Sequence, residues 1–199
     1  MPAFTGVWAS VLCFTPSWVT KLNFYEWKPL AEQGVAEAQY NLGLIYSRGQ
    51  EIPQDNSEAA HWYRLAAEQG FAEAQTNLGL MYGKGQGIEQ NYREAVKWYR
   101  LAAEQGLAQA QHNLGVMYGR GQGVVKNYQE AIWWFKLSAD QGYAQAQYNL
   151  GLMHNRGEGV PRDDKEAVKW YRLSAQQRIP GAQSNLGLMY EKGLGVEQD

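Results

Sequence analysis

"AEAQYNLGLIYSRG", residues 36–49, spaces its apolar side chains as a helix does, yet places Gly43 in the middle. A glycine inside a helix costs about 1 kcal/mol relative to alanine, because its backbone loses more freedom on folding. The motif recurs. "NLG" stands at 41–43, 77–79, 113–115, 149–151 and 185–187. "AEQG" stands at 31–34, 67–70 and 103–106, followed by "ADQG" at 139–142 and "AQQR" at 175–178. Every step in both series is 36 residues, so Gly43, Gly79, Gly115, Gly151 and Gly187 form one column of a repeat. Their summed propensity cost is on the order of 5 kcal/mol, so packing must require them. The expected reason is close approach of helix backbones to bulky neighbours such as Trp62 and Tyr63.

Each unit reads as two helices. The first opens with Asp or Asn and a Glu three residues on, at Asp55/Glu58, Asn91/Glu94, Asn127/Glu130 and Asp163/Glu166, the spacing of a capping box. Apolar residues then follow at helical spacing, as in Ala59, Trp62, Tyr63 and Ala66. Gly70, Gly106 and Gly142 stand where a helix end favours a left-handed residue, and Arg178 breaks that column, which predicts a strained turn. The second helix carries Ala74, Leu78, Met81 and Tyr82 on one face, and a glycine-containing loop (84–90) leads to the next unit. Pro180 falls in the first turn of the last second helix, where proline is tolerated. The units run over 55–90, 91–126, 127–162 and 163–198, after a degraded first unit at 25–54. In that first unit Pro29 replaces Leu65, Leu101, Leu137 and Leu173 of the others, so the helix from about Asn23 should be short or kinked. Neither helix buries its aromatic face alone. The pairs must stack into an all-α solenoid.

The stretches "AEAQTNLGLMYGKGQGI" (72–88) and "NYREAVKWYRLAAEQG" (91–106) resemble the Sel-one-like repeat family, the 36-residue relative of the tetratricopeptide repeat. The resemblance covers about residues 25–199. It implies a right-handed superhelix of antiparallel helix pairs that acts as a protein-protein interaction scaffold, presenting a concave groove to a peptide or helix. Some cysteine-rich members are penicillin-binding or β-lactamase-like, but they staple their pairs with disulfides, whereas this chain has only Cys13. It also lacks the Ser-x-x-Lys, Ser-Asp-Asn and Lys-Thr-Gly motifs of such hydrolases.

Composition agrees with a folded binding module. Of 199 residues, 45% are hydrophobic and 19% charged, with 8 Trp and 13 Tyr as packing units. The net charge is −2, and no block of like charge occurs, which argues against nucleic-acid and anionic-membrane partners. Residues 1–24 are apolar and unlike the rest, and Lys21 is their first basic residue. They read as an irregular cap or a displaced start rather than an export signal, and the compartment stays open between cytoplasmic and exported. The end of the chain, near Asp199, leaves the last pair without a polar capping helix, which would permit self-association.

No catalytic, cofactor or metal arrangement emerges. His61, His112 and His154 fall at different repeat offsets, and the "GKGQG" and "GRGQG" loops lack the strand and spacing of a phosphate cradle. Candidate protein-binding residues come from the first helices, on the expectation that these line the concave side. One column reads Arg64, Arg100, Lys136 and Arg172, either a basic ladder or a face self-paired with Glu68, Glu104 and Asp140. Another reads His61, Lys97, Trp133 and Lys169, in which Trp133 stands out as a candidate exposed aromatic. The columns of Asn41, Asn77, Asn113, Asn149 and Asn185 and of Gln39, Gln75, Gln111, Gln147 and Gln183 are the same in every unit, which points to a packing role.

Overall fold

The computed structural model describes residues 23–49 and 51–195; the N-terminal segment expected to be a cap or displaced start lies, up to residue 22, outside them. The described residues form helices and no strand. The first helices of the units are α1 (Phe24–Glu32), α3 (Asn56–Glu68), α5 (Tyr92–Glu104), α7 (Tyr128–Asp140) and α9 (Asp164–Gln176). The second helices are α2 (Ala36–Arg48), α4 (Ala72–Lys84), α6 (Ala108–Arg120), α8 (Ala144–Arg156) and α10 (Pro180–Glu191). Each helix packs on its neighbours in chain order, and the joint between one unit's second helix and the next unit's first helix is the more extensive.

The glycine column explains that joint. A Cβ built on Gly43, Gly79, Gly115 or Gly151 would stand 2.5–2.8 Å from the ring of Tyr63, Tyr99, Phe135 or Tyr171 in the next unit. The ring occupies the volume a side chain would fill, so the helix cost is offset by close packing. Of the two neighbours named from sequence, Tyr63 is the one that makes the contact. Leu42, Leu78, Leu114 and Leu150, beside these glycines, are almost fully buried.

Glutamines lock the same joint. The side-chain amides of Gln39, Gln75, Gln111 and Gln147 donate to the carbonyls of Ala31, Ala67, Ala103 and Ala139 at 3.1–3.3 Å. Their oxygens then accept from Gln69, Gln105, Gln141 and Gln177 of the following unit at 2.7–3.0 Å. A buried amide satisfied on both sides ties each pair to the next.

The helix starts follow the expected Asx caps. Asp55, Asn91, Asn127 and Asp163 accept from backbone N–H groups of the first turn. Among the described residues, the reciprocal glutamate bond forms only at Asn23 and Glu26. Glu94 and Glu166 turn instead to Lys97 and Lys169 three residues on. Arg178 has φ 64°, the one non-glycine among the described residues in the left-handed region, as its place in a glycine column predicts. Helix α1 spans 9 residues against 13 in α3 and contains Pro29. Pro180 opens α10.

Candidate functional site

Three recesses of about 230, 250 and 240 Å³ lie in a row along the second helices. Each is bounded by the ring that seats on the glycine column (Tyr63, Tyr99 or Phe135) and by one asparagine (Asn77, Asn113 or Asn149). Their apolar walls come from another column, Leu44, Leu80, Val116 and Leu152. Leu80 is shared by the first and second recess, and Val116 and Arg120 by the second and third. The recesses are therefore neighbours in one continuous row, repeated with the sequence period.

Local geometry fixes these side chains. Burial raises the Tyr63 phenol, and it pushes Tyr171, the equivalent ring of the last joint, up to about 12. Both remain neutral packing groups at ordinary pH. Tyr63 also shares a hydrogen bond with Ser47 at 3.2 Å. His112 lies between the rings of Phe135 and Tyr143, with centroids 5.7 and 5.2 Å away. Its Nδ1 is 3.3 Å from the Asn113 side-chain oxygen, and its Nε2 is 3.0 Å from the Asn149 amide nitrogen. One neutral tautomer satisfies both contacts: Nδ1–H donates to Asn113, and Nε2 accepts from Asn149. Burial, aided by the nearby Arg120 charge, lowers the His112 pKa and favours that neutral ring.

The first-helix candidates lie elsewhere, and none of them lines a recess. Arg64, Arg100 and Arg172 donate to the hydroxyls of Tyr82, Tyr118 and Tyr190 at 2.9, 2.6 and 2.7 Å. The expected pairing of this column along its own helix, to Glu68, Glu104 and Asp140, does not form among the described residues. The arginines reach across to the second helix of the same unit. In the fourth unit the corresponding residues are Lys136 and His154, which share no hydrogen bond. Lys97 lies 3.6 Å from the Glu94 carboxylate and over the Trp98 ring, and Lys169 pairs with Glu166. His61 is exposed with its ring against Trp62. Trp133 is 53% exposed and rests its edge on Trp134 at 4.3 Å.

Stacked helix pairs of fixed period define this molecule as an α-solenoid repeat protein. The Sel1 repeat profile matches residues 36–71, 72–107, 108–143, 144–178 and 180–199, and the chain belongs to that family. The profile counts each unit from a second helix, half a unit out of phase with the helix pairs above. A protective antigen of uropathogenic Escherichia coli strains, displaying an SLR fold, is 45% identical with a TM-score of 0.85 over 89% of this chain and 38% of its own. A Sel1 repeat protein from Oxalobacter formigenes is 35% identical with a TM-score of 0.80 over 88% of this chain and 51% of its own. This chain thus spans about two fifths to half the length of these relatives. No curated protein matches it. Sel1 repeat proteins are in general non-enzymatic protein-interaction scaffolds. No described helix is long and apolar enough to cross a membrane.

Proposed function

We propose that this chain is a non-catalytic interaction module that holds an extended peptide segment of a partner protein along the row of recesses on its second helices. The observation that carries this reading is the recurrence of one recess three times with shared walls. A ligand that runs along the row meets an aromatic ring, an asparagine and an apolar wall at each unit. The asparagine amide offers a donor and an acceptor together, the pair that a peptide group itself presents. The apolar walls accept alternate side chains. The site is preformed by the glycine–ring joints and glutamine bonds, so little ordering cost falls on binding.

A second surface is favoured by the exposure of Trp133, with Arg64, Arg100, Lys136, Arg172, His61, Lys97 and Lys169 on the same set of helices. Large exposed aromatics are common binding hot spots. The two surfaces separate in one experiment. A displayed random-peptide library is panned on the intact chain, on Val116→Trp, which fills the wall shared by two recesses, and on Trp133→Ala. Loss of the selected peptides only with Val116→Trp supports the recess row. Loss only with Trp133→Ala moves the site to the first helices. Failure to retain any peptide on the intact chain overturns both. Circular dichroism on each variant verifies that the helices persist.

A further inference from the structure

The basic residues beside the recesses escape a linear reading, because they recur once per unit instead of clustering. Arg48, Lys84, Arg120 and Arg156 occupy the last turns of α2, α4, α6 and α8, and Lys192 follows α10. All are exposed. A cation in a last helical turn is favourable toward the helix dipole, which accounts for one such residue in each helix. Their place in the row adds a second role. Lys84 and Arg120 border the middle recess, and Arg120 and Arg156 border the third. Among the described residues, the only ion pair made by this column is Arg156 with Glu158 at 3.9 Å. The middle recess has two cationic walls and no carboxylate.

We infer that the peptide accepted by this row is acidic, its carboxylates meeting Lys84 and Arg120 at the middle recess, the one without a carboxylate of its own beside its cations, while its main chain meets Asn77, Asn113 and Asn149. The inference rests on the recess row being the binding surface. Charge complementarity identifies the partner: a cationic edge stands on a chain whose net charge is −2. A carboxylate binds bidentately to a guanidinium, and the apolar walls suit a peptide better than a polyphosphate backbone. Nucleic acid is also disfavoured because the molecule as a whole repels a polyanion.

The test pans a displayed random-peptide library on four forms: the intact chain, Arg120→Glu, Lys84→Glu, and Lys165→Glu, an exposed residue of α9 outside both surfaces, as a first-helix charge control. Selected peptides should be enriched in Asp and Glu. Their affinity should fall on the order of tenfold with Arg120→Glu or Lys84→Glu, since an attraction becomes a repulsion, and stay unchanged with Lys165→Glu. Raising the salt concentration should weaken the intact chain but not the reversed variants. Peptides that lack acidic enrichment but are lost with Val116→Trp would overturn the acidic inference and leave the recess row standing. Peptides insensitive to Val116→Trp would overturn the row itself, and the inference with it. Tighter capture of a labelled oligothymidylate than of any selected peptide, abolished by Arg120→Glu, would replace the peptide with nucleic acid.

Discussion

Gly151 and Gly187 occupy the same column one unit apart, in opposite surroundings. A Cβ on Gly151 would stand 2.5 Å from the Tyr171 ring, whereas a Cβ on Gly187 would meet nothing within 4 Å among the described residues. Their neighbours follow suit: Leu150 is buried at 2% while its equivalent Leu186 is half-buried, and Leu188 is 44% exposed where its equivalent Leu152 is half-buried. Gln147 is buried and bonded on both sides; Gln183 is exposed and bonded on one. The difference teaches that the repeat's signature residues have no fixed local value. They gain their worth from the ring that packs on them, which the described residues supply at Gly151 and not at Gly187.

The sharpest way to break this comparison is to fill an inner glycine. Gly115→Leu should destabilise by about 3 kcal/mol or more, since the added side chain must displace the Phe135 ring and press on the Ala131 carbonyl, 2.8 and 3.1 Å from its Cβ. Urea unfolding followed by circular dichroism reads the loss; a change near zero would refute the close-packing account. Gln105→Ala should cost about 1–2 kcal/mol, because the buried Gln75 oxygen loses its donor, and Gln183→Ala should cost much less. Arg178→Gly should stabilise by about 1 kcal/mol by relieving the left-handed backbone at φ 64°. Gly187→Ala should also stabilise, by up to about 1 kcal/mol, as the reverse of its inner counterparts. If both Gly187→Ala and Gly151→Ala destabilise alike, position within the array does not matter and the comparison fails.

The subtlest effect is pH dependence at the inner joint held by His112. Its folded pKa lies below the ordinary 6.5, so the unfolded chain binds the proton more readily. Stability is therefore retained above pH 6.5 and declines as pH falls from there toward the lower folded value. Besides Arg120 on its own helix, the groups facing the ring are Phe135, Tyr143 and Asn149 from α7 and the start and body of α8. None of them is a carboxylate that could hold the charged form. His112→Gln should flatten the stability profile through this window in thermal melts run across pH.

The architecture was legible because its period is written in residue identities, and a period of helix pairs leaves one way to bury the aromatic faces. Even the ring against Gly43 could be narrowed to Trp62 or Tyr63, the adjacent bulky residues on the facing helix, of which Tyr63 makes the contact. The recess row was harder. Both helices of a unit repeat equally in sequence, so the period alone does not say which set of helices borders the recesses. Asn77, Asn113 and Asn149 were read as packing residues, and the bonds of Asn113 and Asn149 to His112 agree with that; their place beside the recesses was not visible in the period. For the arginine column the sequence offered a basic ladder or self-pairing along the helix. The self-pairing does not form among the described residues, and the tyrosine partners on the second helix escaped notice because local spacing rules stop at one turn. A partial signal for the true partner was present: Arg64/Tyr82, Arg100/Tyr118 and Arg172/Tyr190 change together to Lys136/His154 in the fourth unit, although the first unit has Lys28 with Tyr46. The cationic column beside the recesses went unseen because its members lie a full unit apart.

The glutamine bonds carry one more consequence, for how such chains change length over generations. Gln105 reaches back to Gln75 as Gln141 reaches back to Gln111, with the same partners at the same separation. A duplication or deletion of one whole unit would rejoin a glutamine to a glutamine and a ring to a glycine, leaving every remaining joint chemically as before. A change of any other length would strand an amide in the core and a ring against a side chain. Genetic recombination within such a gene is thus filtered by the fold into steps of a single unit, each of which adds or removes one recess from the row.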